Sequence, residues 1–192
     1  MGHRFSEITF TPSVVAAQQQ FGSYERVSRV KERMPDFQHL QTREESFIAA
    51  RDSFYMASVS ESGWPYLQHR GGSAGFLKVL DSATLGFVNR PGNGQYQSLG
   101  NLSANNRVAL FLMDYPNKRR LKLLGRVQSL SAEQLPDIWR GALLDGEAGE
   151  RVESLMLIKV EAFDWNCSQF ITPRYTATEL ESLGYQVQGE TL

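Results

Sequence analysis

The sequence holds one cysteine, Cys167, and three histidines in 192 residues. One cysteine forms no intrachain disulfide and cannot build a cysteine-rich zinc site. The pattern suits a reducing compartment, so a cytoplasmic protein is expected. So few histidine and cysteine ligands leave no metal site to expect. Charge of one sign is not in surplus: 20 Lys and Arg face 21 Asp and Glu, a net charge of -1. A general nucleic-acid binder needs a basic excess to displace counterions from phosphates, so no nucleic-acid partner is expected. No apolar run approaches the roughly 20 residues that span a bilayer. Met1, Gly2, His3 and Arg4 lead into alternating polar and apolar residues rather than an apolar signal segment, so no membrane partner is expected. The HExxH, Walker A and GxGxxG patterns are absent, as is any paired-carboxylate pattern.

Present instead is a chain that is 41% hydrophobic and 11% aromatic, enough to bury the core of one domain. Thr11-Pro12 is a helix start and Gly22 a stop. Residues 23–40, charged and interrupted by Pro35, read as a connecting arm with at most one helical turn. Thr42 with Glu45 three residues later predicts a capping box ahead of Phe47 and Ile48. Strands are predicted at 54–59, 64–70, 76–80, 84–88, 107–114, 120–130 and 154–163. Helices are predicted at 95–102, at 131–144 with Pro136 in its first turns, and near 176–183. Short strands joined mostly by tight turns, four of them in succession, indicate an antiparallel barrel with added helices, a mainly β fold. A doubly wound parallel sheet would alternate strand and helix throughout, and this chain does not.

Four segments can carry chemistry. In Gln68-His69-Arg70-Gly71-Gly72 a strand runs into two glycines, which let a ligand approach the backbone, beside an arginine fork suited to phosphate or carboxylate. The same residues also suit a bulged strand end with a solvated arginine. The loop Asn89-Arg90-Pro91-Gly92-Asn93-Gly94-Gln95 opens a predicted helix, whose N–H groups attract anions; a plain solvent loop is the other reading. In Lys118-Arg119-Arg120-Leu121-Lys122, period-two spacing puts Arg120 and Lys122 on one strand face. They form either a phosphate clamp or a charged turn. In the segment from Trp165 through Asn166, Cys167 and Gln169 to Tyr175, an indole to cover a ring is joined by amides to read its edge; the alternative is a packing clamp. Together these groups fit a planar cofactor bearing a phosphate without naming it.

The order of segments resembles the FMN-binding split-barrel family related to pyridoxamine 5'-phosphate oxidase over residues 42–175. The resemblance rests on Phe54-Tyr55-Met56-Ala57-Ser58-Val59, Gly63 to Gly72, Gly75 to Leu80, Asn93-Gly94-Gln95-Tyr96, Gly100-Asn101-Leu102, Arg107 to Leu110 and, above all, Trp165 to Tyr175. It implies a six-stranded antiparallel split β-barrel with flanking helices, a homodimer, and FMN in a cleft between subunits. Carried over by position, Gln68, His69, Arg70 and Gly71 would line the flavin ring, with Phe87, Val88 and Asn89 flanking it. Asn93 and Gln95 would sit at the phosphate, and Arg120 or Lys122 would reach the flavin. Trp165, Asn166, Cys167 and Gln169 would come from the partner subunit. Many relatives place a phosphate-gripping basic residue near the position of Gly94, which has no side chain, so the grip would fall to residues such as Arg70 or Arg90. The substrate-binding Arg and His pattern of true pyridoxamine phosphate oxidases is not evident near the C-terminus.

The resemblance therefore implies a flavin-dependent oxidoreductase, with NADH or NADPH as an electron donor to test. The alternative is a non-catalytic binding protein for FMN or for another ring cofactor such as a deazaflavin, haem or pyridoxal phosphate. Residues 1–41 are read as a helical arm that wraps a partner subunit, and residues 42–192 as one split-barrel domain.

Overall fold

In the computed structural model of the chain, which describes residues 3–33, 39–145, 151–165 and 167–186, seven strands form one antiparallel sheet. They are β1 (Ser53–Val59), β2 (Pro65–Gly71), β3 (Lys78–Asp81), β4 (Thr84–Asn89), β5 (Arg107–Asp114), β6 (Arg119–Leu130) and β7 (Ser154–Trp165). Their order across the sheet is β2-β1-β5-β6-β7-β4-β3. The split-barrel architecture is thus present, with the seven strands that the sequence pattern predicts rather than the six that the resemblance implies. The sheet is not closed: β2 and β3 are its two edges among the described residues.

Strand periodicity places the core. Met56 opposes Leu110, Leu110 opposes Leu123, and Leu123 opposes Phe163 across four neighbouring strands. All four residues are almost fully buried. Burying each such side chain contributes about 1.5–3 kcal/mol. Phe54 joins the same core, stacked on Phe76 at 5.6 Å and edge-on to Phe87 at 5.5 Å. The sheet bends at Gly125, where the β6–β7 register shifts. A Cβ there would lie 2.6 Å from the Lys159 carbonyl oxygen, so only glycine allows the two backbones to approach this closely.

Two helices position the site. Helix α5 (Gln97–Ala104) is pinned to the sheet by Asn101, whose Nδ2 donates to Ser58 Oγ at 3.1 Å. Helix α4 (Thr42–Ala49) buries Phe47 and Ile48 in the core. Its N-cap lies one residue before the predicted one. Glu44, not Glu45, reaches back to the Gln41 N–H at 3.2 Å, because the other Glu44 oxygen is held by Trp165 at 2.7 Å.

Three helical segments depart from expectation. Residues 24–33 form a full helix, α3 (Tyr24–Arg33), following α2 (Pro12–Gln20). Glu, Arg and Lys favour helix, and Glu25 stands four residues before Arg29. An unforeseen helix α1 (Arg4–Thr9) packs on β7 of its own chain and buries Phe5. The helix predicted over residues 131–144 is two elements, a 3-10 turn at Ala132–Gln134 and α6 (Asp137–Leu144). Pro136 disfavours helical geometry at the preceding residue, and Leu135 is extended, with φ -69 and ψ 128. Helix α6 covers a second apolar cluster built on Leu143, Leu155 and Leu157, so β7 is buried on both faces along its first half. The terminal helix α7 (Ala177–Ser182) carries a capping box in which Thr176 and Glu179 exchange hydrogen bonds. No helix among the described residues is long and apolar enough to cross a membrane.

Candidate functional site

The alternation of β2 sends Gln68 and Arg70 inward and leaves His69 and Gly71 on the outside. The sheet curls so far that this edge strand meets β4 by side chains. Arg70 Nη1 donates to the Oδ1 of buried Asn89 at 2.9 Å. Ser98, in the first turn of α5, donates to Gln68 Oε1 at 2.5 Å. Two adjoining cavities open here. The larger, about 520 Å³, has Phe76, Phe87 and Leu143 as apolar walls and His69, Arg70 and Gly71 along one side. The smaller, about 60 Å³, is bounded by Gln68, Arg70, Asn89, Asn93, Gln95 and the start of α5. Arg70, Arg90 and Gly92 line both. The larger volume is in the range of roughly 300–1,000 Å³ that small-molecule sites occupy.

Arg70 is the electrostatic centre of this groove. It is half-buried, its guanidinium lies 5.8 Å over the Phe87 ring, and its Nε is buried with no hydrogen-bond partner among the described residues. No carboxylate among the described residues lies within ion-pair distance of it. Burial pushes its pKa below the ordinary guanidinium value, with Tyr66 opposing the shift. An arginine does not lose its proton in a protein, so the consequence is a half-buried cation with no counter-charge in ion-pair reach among the described residues.

The loop between β4 and α5 closes the small cavity. Asn93 Oδ1 accepts from the Gln95 N–H at 3.1 Å, which turns the chain toward the helix. Tyr96 caps α5 in left-handed geometry, φ 50, and donates its hydroxyl to Glu153 Oε1 at 2.7 Å. The carboxylate neighbour pushes the Tyr96 pKa up. Glu153, Tyr96, Ser98 and Phe76 belong to this region, and the sequence offered no local sign of Glu153 or Ser98. Each is tied to the groove by a partner tens of residues away.

Of the residues singled out in the sequence, Gln68, His69, Arg70, Gly71, Phe87, Val88, Asn89, Asn93 and Gln95 meet at this groove. The others do not. Trp165 packs edge-on against Phe47 at 4.8 Å, donates to Glu44, and carries the Arg43 guanidinium 4.2 Å above its ring. Asn89 opposes Ser154, the first residue of β7, and Trp165 is its last. At about 3.3 Å per residue, roughly 35 Å of strand separates them. Arg120 and Lys122 share the outer face of β6, as their spacing predicts. Lys122 pairs with Asp164 at 3.9 Å and lies 4.9 Å over the Phe5 ring, while Arg120 is half-buried. Cys167 is exposed, and its sulfur accepts from the Gln169 N–H at 3.4 Å. Asn166 lies outside the described residues.

The family model for pyridoxamine 5'-phosphate oxidase matches residues 40–166. The chain belongs to the pyridoxamine 5'-phosphate oxidase family. Helices α1, α2 and α3 precede the matched stretch. Solved structures agree on the fold. HupZ of Group A Streptococcus superposes with a TM-score of 0.52 at 14% identity, over 71% of this chain and 100% of that one. A candidate pyridoxamine 5'-phosphate oxidase of Lactobacillus delbrueckii gives 0.52 at 16% identity, over 66% of this chain and 94% of that one. No curated protein matches the chain in sequence.

Proposed function

We propose that this member of the pyridoxamine 5'-phosphate oxidase family binds FMN in the Arg70 groove and acts as a cytoplasmic flavin-dependent oxidoreductase. The observation that carries this reading is Arg70 itself. It is a half-buried cation with no carboxylate in ion-pair reach among the described residues, standing where a larger cavity that includes Phe76, Phe87 and Leu143 meets a small polar one. A ligand with a flat ring at one end and a phosphate at the other fits that pair of spaces and supplies the missing negative charge. In this reading Arg70 and the N–H groups of the first turn of α5 hold the phosphate, while Asn93 shapes the loop around it. Gln68 and Gly71 lie along the ring, and Phe76 and Phe87 exclude water from it. When bound, a flavin supplies hydride and single-electron chemistry; the chain supplies binding, orientation and electrostatics.

The reading includes a homodimer. Pro65, Leu67, Tyr55 and Val59 form an apolar outer face on β1 and β2, with Leu67 64% exposed. A second copy covering such a face could bring its own Trp165, Cys167 and Gln169 toward the groove, which one chain cannot do. The test is FMN titration of the purified chain by flavin fluorescence, followed by addition of NADH or NADPH without oxygen. Uptake of FMN followed by bleaching supports the oxidoreductase. Failure to bind FMN overturns the proposal, and FMN that binds but is reduced by neither donor favours a non-catalytic flavin carrier.

A further inference from the structure

We propose that Glu153 is the positioning residue for the phosphate end of the groove, a role that rests on the FMN reading above. Glu153 sits just before β7, and its N–H donates to the Asn89 carbonyl oxygen at 3.0 Å. Both of its carboxylate oxygens are engaged. Oε1 accepts from the Tyr96 hydroxyl at 2.7 Å, and Oε2 accepts from Asn89 Nδ2 at 3.2 Å.

A carboxylate only accepts hydrogen bonds, and this fixes the Asn89 amide in one orientation. Its NH2 group must face Glu153, so its Oδ1 must face Arg70, where it takes one N–H of the fork. The Arg70 Nε is buried with no hydrogen-bond partner among the described residues, and Arg70 lines both cavities. The same carboxylate holds Tyr96, the left-handed residue that opens α5, and thereby fixes the entry to the helix whose first residues, Gln97, Ser98 and Leu99, line the cavity. Glu153 therefore aims two anion-binding groups at one point from the far side of each. Its oxygens are occupied by Tyr96 and Asn89, and it makes no direct ion pair with Arg70. A glutamine in its place keeps only one acceptor oxygen: either its NH2 faces Asn89, whose amide must turn its own NH2 toward the Arg70 donors, or its NH2 faces Tyr96, whose hydroxyl must then accept instead of donate.

The test compares FMN with riboflavin, which has the same ring and no phosphate, on the full chain. Wild type is expected to prefer FMN. Glu153→Gln is expected to weaken FMN binding roughly tenfold while riboflavin binding stays within about twofold, because only phosphate contacts are lost. Glu153→Asp, which keeps an acceptor-only group, is expected to recover part of the preference. Tyr96→Phe alters only an exposed hydroxyl and is expected to reduce the preference by a smaller factor. Equal losses for both ligands in Glu153→Gln, or tighter FMN binding, would overturn the role of Glu153. An unchanged FMN preference in Glu153→Gln would do the same while leaving the phosphate placement standing. A wild type that binds FMN no better than riboflavin would overturn the phosphate placement itself, and this proposal with it.

Discussion

Arg70 on the edge strand β2 donates to Asn89 on β4 at 2.9 Å, a side-chain bond between strands that lie five places apart in the sheet. Backbone pairing does not connect these strands, so the contact reports how far the sheet has curled. It also orients the Arg70 fork at the junction of the two cavities. Arg70→Ala should therefore weaken FMN binding by about 10- to 100-fold, the range of a charge-assisted hydrogen bond. Arg70→Lys should recover little, because an ammonium cannot serve Asn89 and a phosphate with one planar fork. Fluorescence titration measures both. Wild-type affinity in Arg70→Ala would remove the phosphate from this position.

Trp165 belongs to the packing of its own chain. Its ring meets Phe47 at 4.8 Å and its indole N–H satisfies the buried Glu44 carboxylate. Trp165→Ala should lower stability toward the lower end of the ~3–5 kcal/mol seen for large core truncations, since the ring is only half-buried. Trp165→Phe keeps a ring but strands a Glu44 oxygen, at a cost of about 1–3 kcal/mol. Urea unfolding midpoints decide the matter. An unchanged midpoint in both variants would mean that α4 does not depend on this contact.

Local chemistry made much of the fold legible. The strand Arg107–Asp114 has the bounds its apolar pattern predicts, and Thr11-Pro12 and Thr176 mark helix starts where caps should stand. Gln68 to Gly71, Asn89, Asn93 and Gln95, which line the two cavities, stand in segments that glycines and a turn mark in the sequence, whereas Val88 was named through the resemblance alone. Glu153 was not legible. It reaches Asn89 across 64 residues of sequence, and only the pairing of Asn89 with Ser154 brings it there. Helix α1 was hidden for another reason. Six residues are too few for intrinsic propensity to form a helix, so its existence depends on burying Phe5 against β7. The position of Trp165 likewise follows from the length of β7, which runs two residues beyond its predicted end at Phe163.

Asp164 gives the chain a pH dependence of definite sign. Burial raises its pKa above the ordinary aspartate value of 3.8, with Lys122 and His3 opposing the shift. The folded state then holds the proton more tightly than the unfolded state. Between the unfolded and folded pKa values the native chain binds more protons, so this group's contribution to stability falls as pH rises through that window. It is most favourable at the acid end, below the unfolded value. Asp164→Asn cannot titrate and should flatten the stability profile over the acid range just above 3.8. Thermal melts of both proteins at a series of pH values test this. A variant profile with the wild-type slope would assign the effect to another group.

Gly125 connects the packing of the barrel to the groove. It sits at the register shift between β6 and β7, where an added Cβ would come within 2.6 Å of the Lys159 carbonyl oxygen and 2.9 Å of the Ile158 side chain. The carbonyl oxygen is backbone and cannot rotate away, so β6 and β7 must move apart. Overpacking of this kind costs about 1–3 kcal/mol. The bulge also adds to the bend that curls the sheet and brings Asn89 to Arg70. Gly125→Ala should therefore lower the urea midpoint and also weaken FMN binding, although Gly125 touches neither cavity. Destabilisation with wild-type FMN affinity would show that the Arg70–Asn89 contact is held locally, by Glu153 and Ser154 around Asn89, rather than by the curvature of the sheet.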